Sequence, residues 1–307
     1  MNANLPEPFI QMLEKQYGKE VTNSIMQGYQ AKRKTTFRVN SLKAKTREVL
    51  EVLEKNNIAY KTVAWYEEAF ILENASEKEI RDLSIYQEGK IYLQSLSSML
   101  PPLALEPKEG NDILDMAAAP GGKTTQIAAI TNNKANITAC EMNKIRVERL
   151  KYNLEKQGAK VYVMLQDARK IDDFFSFDQI LLDAPCSGSG TILLAKNQKE
   201  ERENKLEENF TKERIQKITK TQKALLKKAI NLLKPEKEMI YSTCSILASE
   251  NEEIIQEIQK EKNIEIVPIN LEGIEEIPLL PTVIPGTLCV APNELYEGFF
   301  IAKIRKK

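Results

Sequence analysis

Two of the four cysteines sit in company suited to chemistry. Cys186 lies in Asp183-Ala184-Pro185-Cys186-Ser187-Gly188-Ser189-Gly190, and Cys244 in Tyr241-Ser242-Thr243-Cys244-Ser245. Each follows a short apolar run that reads as a strand, so both thiols are expected at strand ends, and neighbouring parallel strands would bring them to one rim. A lone cysteine is ordinarily a small buried hydrophobe, the role assigned to Cys140 and Cys289. A thiol at an open strand end is instead a candidate nucleophile, because its thiolate attacks carbon readily. The chain contains no histidine. That removes Cys–His and Ser–His pairs, HExxH metal sites and imidazole acid–base catalysis, leaving Asp, Glu, Lys, Tyr, Cys or water to move protons. No CxxC pair is present, so neither a zinc ribbon nor a disulfide framework is expected, and no metal.

A second constellation is Asp115-Met116-Ala117-Ala118-Ala119-Pro120-Gly121-Gly122-Lys123-Thr124, between an expected strand and an expected helix. Small residues let the backbone approach a ligand, and free N–H groups at a helix start favour a carboxylate or phosphate. Two ligands fit this loop equally. One is a nucleoside cofactor such as S-adenosylmethionine; the other is a nucleoside triphosphate, held by a relaxed Walker A with Ala117 in place of the first glycine. Ile180-Leu181-Leu182-Asp183 even resembles a Walker B strand. The next strand favours the first ligand. It ends in Ala139-Cys140-Glu141, and an acid there accepts hydrogen bonds from both ribose hydroxyls, a contact that P-loop sites do not need. Gln166-Asp167, ending the strand after that, is placed to bond an adenine amino group.

A methyl donor and a thiolate together suggest one reaction. Carbon 5 of cytosine is a poor nucleophile until a thiolate adds to carbon 6 and turns the ring into an enamine. After methyl transfer the carbon 5 proton leaves and the thiol is eliminated. Asp183 is placed to bond ring N3 through a proton, and Lys123 is the cation expected to favour thiolate formation at Cys244. A base in a folded RNA would have to leave its stack to reach the thiol.

A parallel sheet would bring these residues together. Strands are expected at Asp112 to Met116, Ile137 to Glu141, Val161 to Leu165, Gln179 to Asp183 and Met239 to Thr243. Helices are expected from Thr124, from Asn143, from Lys212 to Leu233, and from Ser249. Late strands near Ile264 to Val267 and Gly298 to Ile304 complete a sheet of roughly seven. The first hundred or so residues differ: a helix over about the first thirty, a strand at Thr36 to Asn40, and a helix burying Val49, Leu50, Val52 and Leu53. Strands follow around Tyr60 to Val63 and Phe70 to Leu72, and the module ends before Pro101-Pro102. Residues 196–223, dense in Lys, Glu, Asn and Gln, read as an exposed helix with a flexible lead-in.

Composition, with 42% apolar and 29% charged residues, is that of an ordinary soluble globular protein. No apolar run approaches a membrane span and the first residues carry no secretory pattern, so a cytoplasmic location is expected. Basic and acidic residues number 44 each, so binding to a polyanion must rest on local patches. Candidates are Lys32, Arg33, Lys34 and Arg38, and the run Ile304-Arg305-Lys306-Lys307.

The motifs D-M-A-A-A-P-G-G-K-T, D-A-P-C-S-G-S-G-T and Y-S-T-C-S resemble those of the Nop/Sun family of RNA cytosine-5 methyltransferases. Phe37 to Lys43 resembles the family's R-V-N-T-L-K segment, Gln94 to Met99 its run before the first core strand, and Glu297 to Ala302 its closing strand. The likeness thus covers nearly the whole chain. It implies an α/β fold: a class I, Rossmann-like methyltransferase domain at 101–307 behind a small N-terminal α/β RNA-binding module at 1–100. It implies Cys244 as the nucleophile and Cys186 as an aid to product release, whereas in DNA cytosine-5 methyltransferases the P-C cysteine attacks. It further implies S-adenosylmethionine contacts from Ala117, Ala118, Ala119, Pro120, Gly121, Gly122 and Lys123, and from Glu141, Arg146, Asp167 and Asp183. Lys123 and Asp183 are expected to help proton movement around the cytosine.

After S-G-T the chain departs from the family, reading Ile192-Leu193-Leu194-Ala195-Lys196 where many relatives carry a basic residue and a proline. The expected partner is RNA, with tRNA favoured over rRNA because this length leaves no room for a long appended RNA-binding domain. A monomer without membrane contact is expected. Two other classes stand beside this reading: a P-loop-like NTPase, in which both cysteines would be dispensable, and a non-catalytic RNA-binding protein.

Overall fold

Aliphatic runs build two sheets in the computed structural model, which describes residues 5–194 and 208–307. Ala195, Lys196 and the first part of the Lys/Glu-rich stretch lie outside the described residues. In the larger sheet five strands run parallel in the order β7-β6-β5-β8-β9: β5 (Asp112–Asp115), β6 (Asn136–Glu141), β7 (Val161–Leu165), β8 (Phe177–Asp183) and β9 (Leu233–Thr243). Next to β9 lies β13 (Phe299–Lys306), antiparallel. The far edge of β13 carries β10 (Ile264–Val267) and β12 (Leu288–Val290), with β11 (Leu279–Leu280) outside β12.

Parallel strands covered on both faces read as continuous apolar runs, and these do. Leu114, Ile180 and Leu182 join one core with α1 (Glu7–Gln30), α8 (Lys212–Leu232) and α9 (Glu252–Glu261). Ile113, Leu181 and Ile240 join the other, with α5 (Leu96–Leu105) and α6 (Gly122–Ile130). All seven expected strands are present. The sheet nevertheless has nine, because β11 and β12 were not foreseen. They are two and three residues long, in a segment broken by Pro278, Pro281, Pro285 and Gly286, too short to show a period.

The smaller sheet is antiparallel, ordered β2 (Tyr60–Thr62), β3 (Ala69–Leu72), β1 (Thr36–Val39), β4 (Ile91–Leu93). Val49 and Leu53 of α2 (Thr46–Lys55) pack with Phe37 and Phe70 in its core. The expected boundary between residues 100 and 101 falls inside α5, whose Met99, Leu100 and Leu105 belong to the core of the large sheet. The helix runs through Pro101 and Pro102, and a side chain just before its start compensates for one of the two lost bonds. Pro102 has no N–H for the Ser98 carbonyl, and Gln94 Nε2 donates to that carbonyl at 3.0 Å instead. By packing, α1 also sides with the large sheet.

Arg38 joins the two sheets. Fully buried on β1, it donates to Gln94 Oε1 (2.9 Å), to Thr125 Oγ1 (2.7 Å) and to the Gly122 carbonyl (3.1 Å). Asn40 adds bonds to the carbonyls of Gly89 (2.9 Å) and Gln157 (2.8 Å). The module is thus fastened to the start of α6, where the glycine loop ends.

This packing corrects both basic patches. Arg33 and Arg38 are withdrawn from solvent, Lys34 pairs with Glu73 at 2.8 Å, and only Lys32 of the first group stays exposed. In the second, Arg305 pairs with Glu238 and Glu265, Lys307 pairs with Glu265, and Lys306 caps the Leu233 carbonyl. Neighbours in sequence gave no sign of these acidic partners on adjacent strands.

Candidate active site

The ends of β5, β6, β8 and β9, with the turn after β7, deliver every expected site residue to one edge of the sheet. The chain leaves β5 at Asp115, a fully buried carboxyl that accepts from Thr124 Oγ1 at 2.7 Å. Burial pushes its pKa up to about 6 against the pull of that bond and of Lys123. The turn closes at Gly121, which is left-handed (φ +105°); a Cβ there would stand 2.9 Å from Leu150 Cδ1, so glycine is required.

On one side of this loop lie two carboxylates. Glu141, ending β6, accepts from the Asn143 N–H (2.8 Å) and faces Arg146 (3.2 Å), which also donates to the Ala119 carbonyl (2.6 Å). Asp167, after β7, is gripped by Arg169 at 2.6 Å, which holds its pKa below the usual range. A cavity of about 290 Å³ is lined by Ala117, Ala119, Glu141, Arg146, Asp167 and Asp183, and it reaches Cys186 and Cys244. Ala118, Pro120, Gly122 and Lys123 line a second cavity of about 230 Å³, which shares Ala117, Ala119 and Asp183 with the first and continues to Tyr92, Ser95 and Ser98 of the small module and α5. Gly121 lines neither; it serves the turn.

On the other side the two thiols meet, with Cys186 Sγ and Cys244 Sγ 2.9 Å apart. The hydrogen bond to Cys244, then burial, raise the Cys186 pKa well above the ordinary thiol value, and the Glu250 charge adds to this. Asp183 accepts from Ser242 Oγ (2.8 Å) and lies 2.8 Å from Lys123 Nζ, which also donates to Ser98 Oγ (2.8 Å). Burial works to lower the Lys123 pKa, but Asp183, Asp115 and Cys244 outweigh it and the net shift is upward. Lys123 therefore stays a cation within the field of Cys244. Both Asp183 oxygens are engaged, Oδ1 by Ser242 and Oδ2 by Lys123. Cys140 and Cys289 are buried, and burial pushes each thiol up to about 12.

Several residues holding this site were not foreseen. Glu250, between β9 and α9, is fully buried and accepts from Ser187 N–H (2.8 Å), Ser187 Oγ (2.6 Å) and Ser245 Oγ (2.5 Å). Asn251 accepts from Thr243 Oγ1 (2.6 Å) and donates to the Ser245 carbonyl (2.9 Å). Tyr29 OH donates to the Ser189 carbonyl (2.6 Å). Gly190 donates to the Cys244 carbonyl (3.0 Å) and accepts from Gly298 N–H (2.8 Å); a Cβ on Gly190 would lie 1.9 Å from the Gly298 oxygen. In sequence Glu250 reads only as an acid near a helix start, so no local signal marks it.

Among the described residues no group of three or more His, Cys, Asp or Glu is arranged to hold a metal ion, and no helix is long and apolar enough to cross a membrane. Lys123, the residue that would reach the phosphates of a nucleoside triphosphate, is buried against Asp183, which argues against the P-loop alternative. Five parallel strands followed by the antiparallel β13 next to β9, with acids ending successive strands beside a glycine turn, define a class I methyltransferase fold. The family described as 16S rRNA methyltransferase RsmB/F matches residues 102–305, and its ferredoxin-like domain matches residues 5–78. The chain belongs to this RsmB/F family, in agreement with the Nop/Sun resemblance.

Relatives include the ribosomal RNA small subunit methyltransferase F of Vibrio atlanticus (32% identical) and that of Shewanella woodyi (34%), each aligned over 99% of this chain and 64% of its own length. The chain thus spans somewhat under two thirds of these curated relatives. A solved methyltransferase homolog from Pyrococcus horikoshii superposes with a TM-score of 0.81 at 32% identity, over 99% of this chain and all of its own. NSun6 from the same organism, solved with SFG, shares the fold at a TM-score of 0.85 and 24% identity, over 100% of this chain and 99% of its own.

Proposed function

We propose that the protein is an S-adenosylmethionine-dependent RNA (cytosine-5-)-methyltransferase with Cys244 as its nucleophile. The observation that carries this reading is the pair of thiols 2.9 Å apart, opening on the same cavity as Glu141 and Asp167. The donor set fits the cofactor: Glu141 suits the ribose hydroxyls, Asp167 the adenine, and the turn from Ala117 to Lys123, with Arg146 and Asp183 beside it, the amino-acid end. When bound, S-adenosylmethionine supplies an electrophilic methyl group.

The protein's own part is to make carbon 5 nucleophilic. As the thiolate, Cys244 adds to carbon 6 of cytosine, and the double-bond electrons move onto carbon 5. As the adduct forms, N3 takes a proton from water, and Asp183, held by Lys123 and Ser242, accepts a hydrogen bond from that N3–H. Once carbon 5 is methylated, water takes the protons from carbon 5 and N3, the carbon 5–carbon 6 double bond re-forms and Cys244 is expelled as the thiolate. Cys186 remains a thiol and assists that release from beside the departing sulfur.

RNA is the proposed partner. The preference for tRNA, expected from length, has no support: relatives named for the small-subunit rRNA align over 99% of this chain, so the length it covers does not mark a tRNA enzyme. Small-subunit rRNA is the favoured substrate class. The test is methyl transfer from labelled S-adenosylmethionine to rRNA and, separately, tRNA by wild type, Cys244→Ala and Cys186→Ala. Labelled 5-methylcytosine in rRNA, an inactive Cys244→Ala and a covalent protein–RNA adduct with Cys186→Ala are expected. Full activity in Cys244→Ala would overturn the assignment of the nucleophile.

A further inference from the structure

Burying a carboxylate is costly unless its oxygens are fully bonded, and Glu250 has no ion-pair partner among the described residues. Among the described residues its donors come from two places only. Ser187, adjacent to Cys186, gives both its N–H and its hydroxyl; Ser245, adjacent to Cys244, gives its hydroxyl. The carboxylate thus spans the two cysteine loops, one residue away from each thiol.

The backbone around Glu250 does not depend on this bracket. Tyr241 OH donates to the Glu250 carbonyl at 2.7 Å, and Asn251 bonds both Thr243 and Ser245. The carboxylate is additional to that scaffold, and its bonds go to the loops alone. If the Cys186 loop turned away, Oε1 would lose the Ser187 N–H; if the Cys244 loop did, Oε2 would lose one of its two hydroxyl donors, so the carboxylate is fully bonded only with both loops in place. We propose that Glu250 is a positioning residue that fixes Cys186 and Cys244 side by side for reaction, an assignment that rests on the thiol chemistry proposed above.

The test uses the whole chain as wild type, Glu250→Gln, Glu250→Ala and Ser187→Ala, with two readouts. The first is independent of activity: the rate at which diamide oxidises the two thiols to a Cys186–Cys244 disulfide. Both thiol hydrogens pass to the diazene, which is reduced to the hydrazine, and the protein loses two hydrogens in the mass spectrum. Loss of the bracket is expected to slow closure about tenfold in Glu250→Ala, less in Glu250→Gln and Ser187→Ala, which each keep part of the bonding. The second readout is methyl transfer, where kcat is expected to fall about 100-fold in Glu250→Ala with KM for S-adenosylmethionine unchanged and partial rescue in Glu250→Gln. Glu250→Gln and Ser187→Ala decide the matter even if Glu250→Ala does not fold. Wild-type rates of both disulfide closure and methyl transfer in those two variants, beside an inactive Cys244→Ala, would overturn the positioning role alone. Slowed disulfide closure in a protein whose wild type methylates no RNA would uphold the bracket and refute the activity.

Discussion

On the side of Glu141 and Asp167, the carboxylates are paired to arginines that reach in from solvent: the Arg146 side chain is 52% exposed and that of Arg169 42%. On the side of Cys186 and Cys244, the loops are tied by buried hydroxyls, backbone groups and the Glu250 carboxylate. The first kind of contact is exchangeable on its arginine half, which solvent already reaches, although the carboxylates themselves are only 3% and 16% exposed. The second is expensive to break, because each buried group left unbonded costs roughly 1–3 kcal/mol. The two regions therefore suit different tasks. One can exchange its arginines for an incoming ligand that bonds the carboxylates in turn; the other, on the mechanism proposed above, keeps two sulfur atoms in register while covalent bonds form and break at one of them.

The sharpest way to break this comparison is Cys244→Ala. It is expected to lower kcat by at least about 10³-fold while S-adenosylmethionine binding, read by calorimetry, stays as in wild type. A matching loss of affinity would show that the two sides are not independent.

Asp115, beneath both, comes next. Its folded pKa of about 6 lies above the ordinary 3.8, so the native state binds the proton more tightly than the unfolded chain. The resulting stabilisation is complete below about pH 4, is lost as pH rises to about 6, and amounts to about 3 kcal/mol. Urea unfolding of wild type and Asp115→Asn across that interval is expected to show wild type losing ground to the variant as pH rises. A difference independent of pH would refute the shift.

On the exchangeable side, Glu141→Ala is expected to weaken S-adenosylmethionine binding about tenfold, as the loss of hydrogen bonds to a charged group predicts, with kcat at saturation little changed. Arg146→Ala should be the mildest, altering affinity no more than about threefold in either direction, since the arginine must be displaced from Glu141 as the ribose arrives. A larger effect, measured by the same titration, would make Arg146 a ligand contact rather than a placeholder.

The exchangeable side was also the more legible one in sequence. Glu141 and Asp167 end apolar runs, and the glycine turn is local, so spacing alone puts them together. Both cysteines could be found for the same reason. What could not be read is whatever depends on partners distant in the chain. Glu250 becomes a bridge between the cysteine loops only through Ser187, far away in the chain, and Arg38 and Asn40 bury themselves against α6 and the end of the helix Lys144–Gln157. The basic runs looked free because their acidic partners lie on other strands. Helix α5 crosses two prolines, and Gln94 takes one carbonyl that they strand. Elements of two to five residues, such as β4, β11, β12 and the short helices between β3 and β4, carry too few side chains for any period to register.

The backbone meeting of Gly190 with Gly298 bears on the order of events during synthesis. Every motif through Cys244 has left the ribosome before Gly298 is made. Until β13 docks, the loop after Cys186 lacks the Gly298 N–H bond that holds its carbonyl. Contacts this distant in sequence form late, after local helices and neighbouring strands. The nascent chain therefore carries its two neighbouring sulfurs in an unfinished frame, which is completed only as the sheet closes.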